Sequence, residues 1–195
     1  MMGTGEFALP TFVSLYESPH QVVGLFTQPD RKGRGHHHHP HPMKETALAH
    51  GTPVFQPEKA NTPQALEDLR SLQPDVCLVA AYGQILPQTL LDVPRLGTFN
   101  LHASLLPKYR GAAPIQYAIW KGETETGITI FRIEPKLDAG PIVAVEKTPI
   151  GRKETYGELQ DRLAALSVPL THRVLDAIRK GELTESPQNI AEVTK

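Results

Sequence analysis

A chain of 195 residues, 39% of them hydrophobic and 21% charged, has the apolar material for one sizeable core and an ordinary globular composition, which excludes a disordered tail. Its formal net charge of −1 provides no overall basic field, so any contact with a polyanion has to rest on a local patch. No apolar run reaches membrane-spanning length, the start of the chain lacks the basic region and apolar core of a signal peptide, and a single cysteine excludes an internal disulfide; a cytoplasmic protein is expected.

In chain order, Gly3-Thr4-Gly5-Glu6-Phe7-Ala8 fits G-x-G-x-x-A, but the strand that should precede a dinucleotide fingerprint is a stub, and Pro10 places the helix start after the glycines. A tight turn is the simpler use of those glycines. Gln21 to Thr27 reads as a buried strand, ended by Gln28-Pro29-Asp30. Arg31 to Pro42 is a basic loop holding five of the nine histidines, His36 to His39 and His41, and cannot pack as core. Three readings fit it: a solvated loop, an adventitious metal-binding tract, or a surface for RNA phosphates.

Lys44 to His50 reads as helical, Thr52 to Gln56 as extended, and Thr62 to Leu72 as a helix with Leu66, Leu69 and Leu72 on one face. Asp75 to Ala81 returns to a buried strand, with Cys77 as core packing. Thr98 to His102 alternates as a strand does, so Asn100 and His102 project from the same face at its end. A loop follows, and a helix is expected from about Pro114 to Trp120. Thr126 to Ile133 and Pro141 to Val145 read as strands around a bend that carries Asp138. Thr155 to about Lys180 reads as a long helix burying Tyr156, Leu159, Leu163, Leu166 and Leu170, with a kink or restart at Pro169. This alternation argues for an α/β fold with right-handed crossovers and a mainly parallel sheet. Residues 1–181 are expected to form the domain, and 182–195 a polar tail at the start of a linker.

Several ordered stretches carry a resemblance: Met2 to Pro10 (M-G-T-G-E-F-A-L-P), Ala80 to Pro87 (A-A-Y-G-Q-I-L-P), Asn100 to Gln116 (N-L-H-A-S-L-L-P-K-Y-R-G-A-A-P-I-Q), Gly122 to Ile130 (G-E-T-E-T-G-I-T-I) and Leu137 to Gly140 (L-D-A-G). Together they resemble the folate-dependent formyltransferases, most closely those whose acceptor is methionyl-tRNA. The resemblance implies a Rossmann-like twisted sheet with helices on both faces, 10-formyltetrahydrofolate as cosubstrate without a metal, and Asn100, His102 and Asp138 as catalytic residues. It also implies folate contacts at Tyr82, Gly83, Ile85, Leu86 and Pro87, at Ser104, Leu105, Leu106 and Pro107, and at Leu137 and Gly140. Arg31, Lys32, Arg34 and Arg110 become expected contacts for the initiator methionyl-tRNA, although histidines stand where the family usually has lysine or arginine. Arg110 alternatively pairs with a carboxylate. A monomer is expected, and a second, small β-barrel domain of the family is absent from this sequence.

Formyl transfer to an amine is acyl transfer: it needs donors aimed at a developing oxyanion and an acceptor for the amine's surplus proton. Asn100 offers a neutral amide donor, His102 a donor that Asp138 would favour in its charged form, and Asp138 a carboxylate that can take the proton. The same core would serve a formyltransferase for a sugar-nucleotide amine, and the fold alone would serve a noncatalytic folate- or nucleotide-binding module. No ligand spacing for a metal surrounds His102.

Overall fold

The computed structural model describes residues 1–30 and 41–194. Arg31, Lys32, Arg34 and His36 to His39 therefore lie outside the described residues. The elements are β1 (Met2–Gly3), α1 (Leu9–Tyr16), β2 (Leu25–Phe26), α2 (Pro42–Ala49), β3 (Val54–Phe55), α3 (Pro63–Ser71), β4 (Cys77–Ala80), α4 (Gln88–Leu91), β5 (Thr98–His102), α5 (Pro114–Trp120), β6 (Glu125–Arg132), β7 (Ile142–Pro149) and α6 (Tyr156–Lys180), followed by one turn of 3-10 helix (Ile190–Glu192).

Among the described residues the strands form one sheet in the order β3-β2-β1-β4-β5-β6-β7. The pairs from β3 through β5 are parallel, and β5–β6 and β6–β7 are antiparallel. Period-two alternation sorts the central side chains into two layers. Leu78 and Ala80 of β4 and Phe99 and Leu101 of β5 pack with α1, α2 and α6, while Cys77 and Val79 face α3 and α4. Helices thus cover both faces, as the α/β reading requires.

Local chemistry explains the boundaries. A side chain added at Gly3 would meet the Ala80 carbonyl oxygen at 2.9 Å, so this glycine lets β1 and β4 approach; Gly5, at φ +82°, turns the chain. α1 starts only at Leu9 with a proline in its first turn, so the glycines do not open a helix onto a pyrophosphate. Thr155 and Glu158 form a reciprocal capping box on α6, which ends at Gly181 in the left-handed region with Arg179 and Lys180 in its last turn.

Two expectations about α6 are corrected. Pro169 does not restart the helix, which runs unbroken for 25 residues. Pro169 and Ala165, whose carbonyl loses its i+4 partner, are both exposed, so water can serve that carbonyl. Tyr156 is exposed at 41%, not buried, because it sits at the first position of the helix, ahead of the packed face set by Leu159, Leu163 and Leu170. β7 also runs longer than expected and β2 is shorter. The tail after Gly181 is bonded onto the domain: Ser186 bridges to Ile142, and Thr194 joins the loop after β5.

Candidate active site

A ligand in an open α/β sheet lies beyond the carboxyl ends of its strands, where the order reverses. That position holds a cavity of about 580 Å³ lined by Phe7 after β1, Ala81 to Leu86 after β4, Asn100 to Ala103 at the end of β5, Gly111 to Gln116 leading into α5, Ile133 to Pro135 with Leu137 and Asp138, and Tyr156 and Gln160 of α6. The β4 and β5 loops share one cleft. The exposed lining is mainly apolar, with Asn100, His102 and Asp138 among its polar side chains.

Strand alternation delivers the first two. Phe99 and Leu101 enter the core from one face of β5, which turns Asn100 and His102 to the other. No hydrogen bond among the described residues engages the Asn100 side chain, so its amide is available to the cavity. His102 is 6% exposed, and its Nε2 lies 2.8 Å from the Tyr109 carbonyl oxygen. A carbonyl only accepts, so Nε2 carries the hydrogen, and in the neutral ring Nδ1 presents a lone pair. That lone pair faces Asp138 Oδ2 at 3.7 Å.

Asp138 arrives from the bend between β6 and β7, at φ +46° in the left-handed region that aspartate tolerates better than most residues. The Gly111 N–H donates to its Oδ2 at 2.7 Å, which joins the Asp138 bend to the loop after β5. Burial pushes the His102 imidazolium's pKa below the ordinary histidine value, and the Asp138 carboxylate and the Tyr109 carbonyl offset this only in part. Asp138 thus favours the charged ring as expected, but burial outweighs it, and in the free site the balance lies toward the neutral imidazole. The pair is poised to accept a proton and to hold it as an ion pair.

The expected folate contacts divide. Tyr82, Gly83, Ile85, Leu86 and Leu137 line the cavity. Ile85 and Leu137 keep 81% and 60% exposure, apolar surface that a flat ring could cover. Among the described residues the buried Tyr82 hydroxyl has no hydrogen-bond partner, and its pKa is pushed up to about 12 by burial. Pro87, Ser104, Leu105, Leu106, Pro107 and Gly140 do not line the cavity. Ser104 Oγ donates to the Lys108 carbonyl at 2.6 Å, and Thr129 Oγ1 donates to the Ser104 carbonyl while accepting from the Leu106 N–H, so this loop is pinned from behind. Arg110 pairs with an amide instead of a carboxylate: its Nε and Nη2 donate to Gln188 Oε1 at 3.0 and 2.6 Å. Phe7, Tyr156, Gln160 and Gln188 escaped the sequence reading, the first three because cavity lining has no local pattern.

Residues 1–175 match the family model described as formyl transferase. The chain is 48% identical over 189 residues to a methionyl-tRNA formyltransferase of Trichlorobacter lovleyi, covering 96% of this chain and 60% of that protein. It is 50% identical over 193 residues to a methionyl-tRNA formyltransferase of Acidithiobacillus ferrooxidans, covering 98% and 62%. The chain thus spans about three fifths of the length of these relatives. Among solved structures, phosphoribosylglycinamide formyltransferase from Bacillus halodurans superposes with a TM-score of 0.71 at 26% identity, over 87% of each chain.

Proposed function

The chain belongs to the formyl transferase family, and on that footing we propose that it transfers the formyl group of 10-formyltetrahydrofolate to the α-amine of methionyl-tRNA in the cytoplasm, for translation initiation. The observation that carries the reading is the His102–Asp138 pair beside the unengaged Asn100 amide, in an apolar cavity at the strand ends. The acceptor rests on the relatives' names, which do not favour a sugar-nucleotide amine or a noncatalytic module.

The pterin ring lies on the wall formed by Tyr82, Gly83, Ile85 and Leu86, with Leu137 opposite. The amine attacks the formyl carbon and an oxyanion develops, to which the Asn100 amide donates. The surplus proton of the attacking amine passes to the His102–Asp138 pair, either to the carboxylate or to Nδ1, whose N–H then faces Asp138. The carbon–nitrogen bond to the folate breaks, and the folate nitrogen takes that same proton from the His102–Asp138 pair as it leaves, which restores the pair. Arg31, Lys32 and Arg34 meet tRNA phosphates, whereas Arg110 braces the site through Gln188.

Assays with 10-formyltetrahydrofolate as donor, and either methionyl-tRNA or a nucleotide-linked amino sugar as acceptor, test this. Formylmethionyl-tRNA is the expected product. A formylated sugar would move the acceptor, and loss of no formyl group to either would overturn the reading.

A further inference from the structure

Gln188 lies in the tail that the sequence presents as a polar linker, yet its side chain is 8% exposed and every polar position on it is occupied. Its Nε2 donates to the carbonyls of Asp138 at 2.9 Å and Gly140 at 2.8 Å, which uses both amide hydrogens. Its Oε1 accepts twice from Arg110, which uses both lone pairs. Arg110 is followed by Gly111, whose N–H donates to Asp138 Oδ2. The connections close a circuit from Gln188 to the Asp138 main chain, through its carboxylate to Gly111, and back through Arg110. Six residues further on, Thr194 holds the same loop: its Oγ1 and carbonyl accept from the N–H groups of Tyr109 and Arg110, and its N–H donates to the Pro107 carbonyl. Tyr109 is the residue whose carbonyl fixes the tautomer of His102.

We infer that Gln188 is a positioning residue: it holds the Asp138 bend against the loop after β5, so that the carboxylate faces His102. The inference rests on the proposed role of Asp138. The bend's own main chain contributes one turn hydrogen bond, from the Ala139 N–H to the Lys136 carbonyl at 3.2 Å, and Asp138 stands at positive φ, a geometry that persists when the surrounding structure holds it, as the tie from Gln188 does. A buried amide with all four hydrogen bonds made is also a specific fit, since replacement leaves two carbonyls and a guanidinium without their partner.

Turnover and donor KM of Gln188→Ala, Gln188→Glu, Asp138→Asn and the Gln188→Ala/Asp138→Asn double variant decide the matter. Gln188→Ala should lower kcat by about a hundredfold with donor KM little changed, the size of effect a small misplacement of a reacting group produces. Gln188→Glu keeps an acceptor for Arg110 but loses both donors to the carbonyls, and should match Gln188→Ala. The double variant should be no slower than Asp138→Asn alone, because the two residues act as one unit. Parental kcat in Gln188→Glu, or losses that multiply in the double variant, would overturn the inference while leaving the catalytic reading intact. Parental kcat in Asp138→Asn would overturn the catalytic reading itself. Should Gln188→Ala unfold below the assay temperature, Gln188→Glu alone carries the comparison.

Discussion

His102 is buried at the end of β5 with one nitrogen committed to a carbonyl and the other facing a carboxylate, and its depressed pKa has two consequences. Its ordinary value is 6.5, so in the unfolded chain it takes a proton near that pH, while the folded site resists until the pH is lower. Folding therefore releases a proton in that window, and the His102 contribution to stability is fully present above pH 6.5 and declines as pH falls through the depressed folded value. A histidine NMR titration should place this ring below 6.5, and a value above it would mean that Asp138 outweighs burial. Asn100→Ala and His102→Ala should each lower turnover by about a hundredfold or more with donor affinity little changed, since they act on charge that develops during reaction. Near-parental turnover in either variant would remove that residue from the catalytic set. Period-two alternation made Asn100 and His102 legible as neighbours, because strand geometry is local. Asp138 was reachable only through the resemblance, and Gln188 by neither route: its hydrogen bonds reach back 48 to 78 residues and leave no trace in spacing.

α6 separates the two kinds of work one helix does. Leu163 is fully buried against the sheet, and Leu163→Ala should cost about 2–5 kcal/mol through lost transfer energy and a residual cavity. Urea denaturation would read this as a lower midpoint with unchanged slope. Tyr156, at the exposed start of the same helix, lines the cavity, so Tyr156→Ala should leave the unfolding free energy within about 0.5 kcal/mol of the parent while weakening folate binding. The opposite pattern would place Tyr156 in the core, as its apolar spacing had suggested. The 3.6-residue period located the helix and its cap signals fixed its limits, but it could not tell a cavity-facing aromatic from a packed one. It could not tell, either, that Pro169 falls on the solvent side, where a missing hydrogen bond is cheap.

At the scale of the whole molecule, strand order decides where chemistry can occur. β1 is flanked by β2 and β4, the chain reverses its direction of travel across the sheet at that point, and the loops beyond β1, β4 and β5 converge on the cavity. The alternation of elements predicted the parallel half; the antiparallel pair β6–β7 supplies the bend that brings Asp138 back to β5. Among the described residues no helix is long and apolar enough to cross a membrane. The proposed function requires that this cavity hold the donor and pass its formyl group with the help of the His102–Asp138 pair. Single-turnover transfer with formyl-labelled 10-formyltetrahydrofolate, bound at saturation before methionyl-tRNA is added, tests it most directly. Label should move to the amine in the parent and remain on bound donor in Asp138→Asn, whereas equal transfer by both proteins would contradict the account.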